Sequence, residues 1–269
     1  MDELSYGDLV ILSDKKARKY MVKVKENGRF STEFGFIDHS AIIEAGNGGL
    51  VRASKGELYR VFRPTYIDYV MKIKRNAQII YPKDSAAMLM HGDVYPGLNV
   101  LESGIGQGAL SISILRALGG KGVLTSYEIR EDFALQSKRF IEDFLGGIDN
   151  HNIVISDIYE GFEGVYDRVL LDLPEPWHVV KHLRGGLVDG GVVVAYIPTI
   201  LQVKTYVDTL RDSGFFDDLE TFELIKRPWK VEGSSVRPEM WIYNHSAFIV
   251  RARKIKVSHQ PAGDLSTQK

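Results

Sequence analysis

The chain has 269 residues, 44% of them apolar and 26% charged, which is enough to bury the core of one large domain or of a main domain with a smaller one. It has no cysteine, which excludes disulfides and cysteine-based metal sites, and no run of about 18 apolar residues, so no transmembrane helix is expected. The net charge of −1 argues against a general nucleic-acid binder, although residues 1–80 carry 14 Lys and Arg against 10 Asp and Glu.

The first elements in the chain are short apolar segments separated by turn residues. The N-terminal sequence MDEL lacks the pattern of a signal peptide, so we expect a cytoplasmic protein. Asn27-Gly28 is typical of a hairpin, and Asn47-Gly48 of a second turn. We therefore predict a small β-rich N-terminal domain over residues 1–62.

A helical linker is predicted over residues 63–90. After Pro64, the segment TYIDYVMKIKR has apolar residues at helical spacing. The next segment, AQIIYPKD, ends at Asp84, which suits the N-cap of a helix over SAAMLMHGDV.

Strand-like and helix-like segments alternate through residues 91–258, which predicts an α/β domain with a mostly parallel sheet and helices on both faces. At its end, LETFELIKRPWKV and SAFIVRARKI are two strand-like segments with no clear helix between them. We predict that they form an antiparallel pair. The polar tail, residues 259–269, is predicted to fray.

A glycine turn follows the strand NVLES and precedes an apolar helix. Gly104, Gly106 and Gly108, with Ala109, match the dinucleotide pattern G-x-G-x-x-G/A, which is weak by itself because a tight turn without a ligand has the same sequence. Glu102 would repel a pyrophosphate at the helix N-terminus. It suits instead the amino group of S-adenosylmethionine, which has no phosphate.

Two further acids follow the next strands. Glu128 ends VLTSYE, where it would accept from ribose hydroxyls, and Asp157 ends VISD, where it would accept from an adenine amino group. Each acid alone is better explained as a solvated side chain or a helix cap. With Glu102, however, three acids converge on the ligand crevice of an open α/β sheet, and together they favour a S-adenosylmethionine site.

The segments VLESGIGQG, SYEIRE, VISDIY and LLDLPEPW, in this order, resemble class I S-adenosylmethionine-dependent methyltransferases. QIIYPKD, DLPEPW and RPEMWIYNHSAFIVRARK are similar, more narrowly, to the tRNA (adenine-N1)-methyltransferases that modify T-loop position 58. The resemblance covers about residues 60–256. It implies a Rossmann-like domain whose mostly parallel seven-stranded sheet has a C-terminal antiparallel strand pair, beside a small β-rich N-terminal domain.

The same resemblance implies a homotetramer that binds tRNA and uses S-adenosylmethionine. Archaeal members of the family also modify position 57. By resemblance, the cofactor contacts are Glu102, Gly104, Gln107, Gly108, Ala109, Leu110, Glu128, Phe133, Asp157 and Asp172. In this set Glu128 would hold the ribose, Phe133 would cover the adenine and Asp157 would bind its amino group.

Asp172, at the end of the strand YDRVLL, is the predicted catalytic residue. N1 of adenine attacks with a lone pair and needs no deprotonation, but the product ring becomes cationic. A carboxylate that accepts from the N6 amine would stabilise that charge. Enzymes that methylate exocyclic amines carry Asn/Asp-Pro-Pro-aromatic here, by resemblance, whereas this chain has DLPEPW. Pro174 and Pro176 would stiffen the turn; Trp177 is predicted to pack, and Glu175 has no assigned role.

The target adenine must leave its stack, and aromatic residues can hold it. Tyr81 and Tyr196 are the candidates, although packing at a strand end explains each of them equally well. Arg237 is the preferred phosphate contact, and His245 is a predicted substrate contact in a stretch whose Asn244 replaces the glycine of many relatives. The other cations considered for phosphate are Arg63, Lys72, Lys74, Arg75, Lys83, Arg251 and Arg253.

Histidines do not predict a metal site. His178 and His182 have i, i+4 spacing, but no third ligand is evident nearby, and His39 and His91 are isolated in the sequence. Methyl transfer from a sulfonium needs no Lewis acid.

Three other functions remain open from the sequence. One is a protein carboxyl methyltransferase of the isoaspartyl type, against which the YPKD segment and the N-terminal domain argue. Another is a nicotinamide-dependent oxidoreductase, against which Glu102 argues. The third is a non-catalytic tRNA-binding subunit; the presence of Glu102, Glu128, Asp157 and Asp172 favours an active enzyme instead.

Overall fold

The computed structural model describes residues 3–73, 78–240 and 245–256. Backbone contacts divide the chain into two compact units, Met1–Arg75 and Asn76–Lys269. The boundaries predicted at residues 62, 90 and 258 stay predictions. Lys74, Arg75, Asn244 and the predicted polar tail lie outside the described residues.

The first unit is rich in β-structure, as predicted. Its elements are β1 Leu9–Ser13, β2 Lys19–Lys23, β3 Arg29–Thr32, β4 Gly35–Asp38, α1 His39–Ala45, β5 Leu50–Arg52, β6 Leu58–Phe62 and α2 Tyr66–Lys72. Antiparallel pairing gives a four-stranded sheet in the order β2-β1-β6-β5 and a separate β3–β4 hairpin. Its core contains Val10, Leu12, Ile37, Ile42 and Val61.

Two local predictions for this unit are corrected. Asn27-Gly28 does not close a hairpin, because β2 pairs with β1 while β3 pairs with β4. Asn27 does adopt the positive φ, 54°, that a tight turn requires. Residues His39–Ala45, for which no helix was predicted, form α1 because Ile42 is buried in the core of the unit and tertiary packing overrides weak local patterning.

The second unit has the alternating elements that the sequence predicts. They are α3 Pro82–His91, β7 Asn99–Ser103, α4 Ala109–Leu118, β8 Val123–Glu128, α5 Glu131–Leu145, β9 His151–Ile155, β10 Tyr166–Leu171, α6 Val180–Gly186, β11 Leu187–Ile197, α7 Ile200–Asp212, β12 Phe216–Glu223, β13 Trp229–Glu232, β14 Ser235–Pro238 and β15 Phe248–Lys254. A 3-10 turn, Pro176–Val179, precedes α6.

Seven strands form one sheet in the order β12-β15-β11-β10-β7-β8-β9. All neighbours are parallel except β15, which is antiparallel to both β11 and β12, so the predicted antiparallel ending is confirmed. The central strands are continuous apolar runs because helices cover both faces of a parallel sheet. Val169, Leu171, Val193 and Ala195 accordingly lie in the main core.

Two predictions for this unit are also corrected. Asp84 does not cap α3: the helix begins two residues earlier, at Pro82, because proline's fixed φ favours the first helical position. Asp84 therefore lies inside the helix, fully buried. The segment LETFELIKRPWKV, predicted as one strand, is divided: β12 ends at Glu223, and Trp229–Glu232 pair with β14 in an additional antiparallel hairpin. The hairpin was not predicted because most of its residues are exposed and give no apolar pattern.

Candidate active site

The strand order brings the predicted acids to one edge of the sheet. β7 lies between β10 and β8, and the chain leaves β7 toward β8 on one side while β10 returns on the other. Such a switch point opens a crevice at the carboxyl ends of the strands. Glu102 is the fourth residue of β7, Glu128 ends β8, and Asp172 follows β10 directly.

Glu102 is fully buried, and only one of its carboxylate oxygens is used by the chain. Ser111 and Ser126 each donate a hydrogen bond of 2.7 Å to Oε2, whereas Oε1 has no partner among the described residues. Burial raises the pKa of Glu102 to about 7, and the charges of Asp172 and Glu128 add to this while the two serine hydroxyls oppose it. The free oxygen can therefore accept a donor from a ligand.

Gly104 allows the end of β7 to touch the start of the loop after β10. Its φ is +87°, and a Cβ atom there would lie 2.0 Å from the carbonyl oxygen of Asp172. The backbone N–H of Asp172 donates to the carbonyl of Ser103 at 2.8 Å. Only glycine tolerates both the positive φ and the close approach of the Asp172 carbonyl oxygen. The glycine turn and the predicted catalytic acid are therefore held against each other.

The rest of the glycine turn is closed by α4 and α5. Gly108 has a φ of +75°, and a Cβ atom there would lie 2.8 Å from Cγ1 of Ile141 on α5. Gln107 is 2% exposed, and neither polar atom of its side-chain amide has a partner in the described chain. Ala109 and Leu110 are buried at the start of α4. An unpaired buried amide is costly, which makes Gln107 a second group available to a ligand.

A cavity of about 160 Å³ lies beside the glycine turn. Its lining residues come from four strand ends and are Ser103, Gly104, Tyr127, Glu128, Ile129, Ser156, Asp157, Ile158, Tyr159, Leu173 and Pro174. Glu128 accepts from the backbone N–H of Arg130, and Asp157 from that of Tyr159. Phe133 is buried in α5, with the Arg130 guanidinium 3.3 Å from its ring centroid.

The apolar part of this lining was not predicted. Tyr159, Leu173 and Pro174 stand within the quoted VISDIY and LLDLPEPW segments or directly beside them, so their place next to the acids was visible in the sequence. The prolines had been interpreted only as a means of stiffening the turn, and Pro174 in fact lines the cavity.

Asp172 as a whole is half-buried, and its carboxyl group is the more buried part. Burial raises its pKa from the usual 3.8 to about 7. No hydrogen bond from a described side chain satisfies this carboxylate, which leaves its oxygens available for a ligand. A carboxyl group that titrates near neutral pH at a crevice is typical of a functional site.

Tyr196 and the YPKD segment meet in a buried polar network. The Tyr196 hydroxyl donates to Oδ2 of Asp84 at 3.4 Å, and Ser246 donates to the same oxygen at 2.7 Å. Lys83 donates to Oδ1 of Asp84 at 2.6 Å and to the Ser246 hydroxyl at 2.7 Å. Burial, and then the charge of Asp84, raises the pKa of Tyr196 well above its usual range.

Tyr81 stands at the N-cap of α3 and is half-buried. Its carbonyl oxygen accepts from the N–H groups of Asp84 and Ser85, which starts the helix. The structure thus brings both predicted base-holding tyrosines to Asp84, one through the helix start and one through a side-chain hydrogen bond.

His245 and Arg237 differ in their contacts within the chain and in their exposure. The ring of His245 lies 2.8 Å from Oε2 of Glu223 through Nδ1 and 2.9 Å from the Pro198 carbonyl through Nε2. The Pro198 carbonyl, followed by Glu223, raises the pKa of His245. Both ring nitrogens are therefore used within the chain. Arg237 is exposed on β14, opposite Lys230.

Several of the remaining sequence candidates have contacts within the described chain. Trp177 packs against the main core, in agreement with the packing interpretation. Glu175 lies 3.9 Å from the ring of His178, and His182 contacts the carbonyl of Tyr159. Three of the other cations are paired, Arg63 with Asp8, Lys83 with Asp84 and Arg251 with Asp218.

Across residues 3–73, 78–240 and 245–256, no three His, Asp or Glu side chains are grouped to hold a metal ion. Within the same residues, no helix has the length and apolarity needed to cross a membrane.

Comparison with known proteins shows the family of the chain. The family described as "tRNA methyltransferase complex GCD14 subunit" matches residues 58–259, and the TrmI-like N-terminal family matches residues 3–51. The chain is 37% identical to a tRNA (adenine(58)-N(1))-methyltransferase TrmI of Thermus thermophilus, over 93% of this chain and 98% of that protein.

Two further relatives extend the comparison. The chain is 29% identical to the tRNA (adenine(57)-N(1)/adenine(58)-N(1))-methyltransferase TrmI of Methanocaldococcus jannaschii, over 90% of this chain and 94% of that one. A crystal structure of a SAM-dependent O-methyltransferase from Thermotoga maritima superposes with a TM-score of 0.91 at 32% identity, covering 96% of this chain and 97% of that one. The fold is therefore that of the Rossmann-like methyltransferases.

Proposed function

The chain belongs to the tRNA methyltransferase complex GCD14 subunit family, and from that membership we propose that it methylates N1 of adenine 58 in the T-loop of tRNA, giving 1-methyladenosine. Adenine 57 is a second candidate target, because the Methanocaldococcus relative is named for both positions. The observation that supports the proposal is the close approach of Gly104, in the glycine turn, to Asp172: a Cβ atom on Gly104 would lie 2.0 Å from the Asp172 carbonyl oxygen.

The residues around the glycine turn fit S-adenosylmethionine. Oε1 of Glu102 is a buried acceptor without a partner in the described chain, which suits the amino group of the methionine part, and the unpaired amide of Gln107 lies in the same turn. Glu128 and Asp157 line the adjacent cavity, where carboxylates suit ribose hydroxyls and an adenine amine. When bound, the cofactor supplies an activated methyl group on its sulfonium.

Asp172 is the proposed catalytic residue. N1 of adenine needs no base to attack, but positive charge develops on the ring as the new bond forms. The ionised carboxylate accepts a hydrogen bond from the N6 amine and stabilises that charge. Because burial brings the pKa of Asp172 to about 7, the carboxylate is more basic than an exposed one and gains more from the developing charge.

Tyr81 and Tyr196 are proposed to hold the flipped adenine. The hydroxyl of Tyr196 is bonded to Asp84, so its ring does not pay the full entropic cost of becoming ordered when the base enters, and Tyr81 stands at the start of the helix that carries Asp84. Arg237 is proposed to contact tRNA phosphate because it is exposed on the β13–β14 hairpin. His245 is proposed to support the substrate side of the crevice rather than to donate to tRNA, since its nitrogens are already used.

A homotetramer is proposed for the assembly. The β13–β14 hairpin exposes Trp229 by 56%, Val231 by 69% and Val236 by 60%, and contiguous exposed apolar side chains mark interaction surfaces. Light scattering of the purified protein tests this: a mass of four chains is expected, and Val231→Glu should lower it. The cytoplasm, where tRNA is abundant, is the proposed compartment.

One experiment tests the function directly. Purified protein is incubated with S-adenosylmethionine and an unmodified tRNA transcript, and the digested RNA is analysed by mass spectrometry for 1-methyladenosine. Reverse transcription, which stops at this base, maps the position, and a transcript with guanine at position 58 is the matched control. An isoaspartyl peptide in a parallel reaction tests the carboxyl methyltransferase alternative. Modified peptide with unmodified tRNA would overturn the proposal.

A further inference from the structure

A hydrogen-bonded chain runs behind Glu102 through two neighbouring strands. Nε2 of His151, the first residue of β9, lies 2.9 Å from Oγ of Ser126 on β8. The same hydroxyl lies 2.7 Å from Oε2 of Glu102 on β7. His151 thus contacts the predicted cofactor acid through one serine, although it stands outside every motif that the sequence indicated.

The number of available protons decides which group donates in each of these two hydrogen bonds. A carboxylate accepts only, so the single proton of the Ser126 hydroxyl is donated to Glu102. The oxygen of Ser126 is then left as an acceptor, and His151 must donate to it from Nε2–H. Burial, aided by the charge of Lys138 on α5, lowers the pKa of His151 to about 4, so the imidazole is neutral at pH 7 and carries one ring proton. When Glu102 is ionised, the hydrogen bonds place that proton on Nε2.

We infer that His151 is a positioning residue of the cofactor site: by donating to Ser126, it directs the serine proton onto Oε2 of Glu102 and leaves Oε1 for the amino group of the cofactor. The inference rests on the proposed use of S-adenosylmethionine. It explains why both serine donors, Ser111 and Ser126, meet one oxygen while the other has no partner within the described chain.

The surroundings of Glu102 disfavour its ionised form, so hydrogen-bond donors are needed to stabilise that form. Asp172 at the end of β10 and Glu128 at the end of β8 are both negative and disfavour an ionised Glu102, as does burial. The two hydroxyl donors oppose these effects. A hydrogen bond received by Ser126 polarises its O–H group and strengthens the bond that it donates, so His151 favours the ionised form of Glu102. Lys138 and Glu142 of α5 line the cavity beside His151.

Five proteins test the inference: the wild type, His151→Leu, His151→Gln, Ser126→Ala and Glu102→Gln. Calorimetry measures the binding of S-adenosylhomocysteine, which has the amino acid and nucleoside parts of the cofactor, from pH 5.5 to 8.5. Glutamine keeps an N–H donor at the position of Nε2, whereas leucine does not. Glu102→Gln is the reference for a site without the carboxylate.

Wild-type affinity is expected to fall below about pH 7, as Glu102 gains a proton. In His151→Leu the midpoint moves to higher pH, and Kd at pH 7 rises about fivefold, the effect of losing roughly one neutral hydrogen bond. His151→Gln restores most of the wild-type profile. At pH 8.5 and with saturating cofactor, Glu102 is ionised in His151→Leu as well. The kcat of this variant and its KM for tRNA should then equal those of the wild type, which a general structural defect would not allow.

The outcomes separate this inference from the proposed function. If the wild type binds no S-adenosylhomocysteine at any pH, the proposed cofactor is wrong, whatever the variants do. If the wild type binds and His151→Leu has the same midpoint and Kd, the inference is overturned. Failure of a folded His151→Gln to restore the profile also overturns it. Should the leucine variant not fold, Ser126→Ala must show the same upward shift, and an unshifted profile there overturns the inference.

Discussion

Ser246 donates a 2.7 Å hydrogen bond to Asp84, a carboxylate that is fully buried near the start of α3. The bond joins the segment before β15 to the YPKD segment, 162 residues away in sequence. Lys83 and the Tyr196 hydroxyl also donate to Asp84. Asp84 therefore does not face solvent as a helix cap would, and it holds together the elements that carry Tyr81 and Tyr196.

Asp84→Ala is expected to destabilise the protein by about 3 kcal/mol, because it leaves Lys83 and two hydroxyls without their shared acceptor. Ser246→Ala, the matched control, removes one donor and should cost about 1 kcal/mol. Chemical denaturation measures both values. Equal effects of the two variants would contradict a network centred on Asp84.

Asp172→Asn should lower kcat by at least about 100-fold, because the amide cannot stabilise a cationic ring as a carboxylate does. Cofactor affinity should change little at pH 8.5, where Glu102 is ionised with or without the charge of Asp172. Single-turnover methyl transfer and cofactor calorimetry measure the two quantities. In the wild type at saturating cofactor, kcat should rise with pH through about 7 as Asp172 ionises. A kcat that is flat between pH 6 and 8 would contradict the role of Asp172.

The same substitution should stabilise the fold at high pH. Between pH 3.8 and about 7 the unfolded chain has lost the Asp172 proton while the native chain retains it. The native state then binds more protons, so wild-type stability falls as pH rises through this window and levels off above it. Asparagine lacks this titration, so the gain in Tm over wild type should be larger at pH 8 than at pH 4.5. Thermal unfolding at the two pH values measures the difference.

Sequence patterns predicted the large parallel sheet well because they are local: Glu102, Glu128 and Asp172 each lie at the end of an apolar strand, and parallel strands end at one edge. The same patterns failed where contacts between residues far apart in the sequence determine the local structure. Asn27-Gly28 looks like a hairpin turn, yet β2 finds its partner in β1. Asp84 looks like a helix cap, but its partner Ser246 lies far along the chain. His151 carries no motif, since only the register of β8 and β9 brings it to Ser126.

Substitutions of Tyr81 and Tyr196 should distinguish the effect of ring stacking from that of the hydroxyl group. Tyr81→Ala and Tyr196→Ala are expected to raise the KM for tRNA and lower kcat, because base–aromatic stacking contributes about 1–3 kcal/mol. Tyr196→Phe keeps the ring but loses the bond to Asp84, and should therefore retain most activity with a small loss of stability. Steady-state kinetics of these three variants, together with Tyr81→Phe, test this. Wild-type kinetics in both alanine variants would rule out stacking.

Gly104→Ala should abolish cofactor binding, whereas Gly106→Ala should not. A methyl group at Gly104 would lie 2.0 Å from the Asp172 carbonyl, so β7 and the loop after β10 would have to separate. At Gly106 the nearest atom is 4.0 Å away, and the cost is the left-handed φ alone, about 1–2 kcal/mol. Calorimetry with S-adenosylhomocysteine, together with thermal unfolding, distinguishes the two. Similar affinities in both variants would contradict the close approach.

Arg237→Ala should weaken tRNA binding without changing kcat or cofactor affinity. A phosphate contact releases counterions, so the slope of log Kd against log salt should become smaller by about 1 in this variant. Arg211→Ala, which removes an exposed arginine of α7 for which no tRNA contact is proposed, is the matched control and should leave the slope unchanged. If both variants reduce the slope equally, the effect is one of net charge; if Arg237→Ala changes neither Kd nor slope, the hairpin does not contact the phosphate backbone. A reduced slope for Arg237→Ala alone would place tRNA along β14, because a single exposed charge loses its effect within about one Debye length, roughly 10 Å at 0.1 M salt.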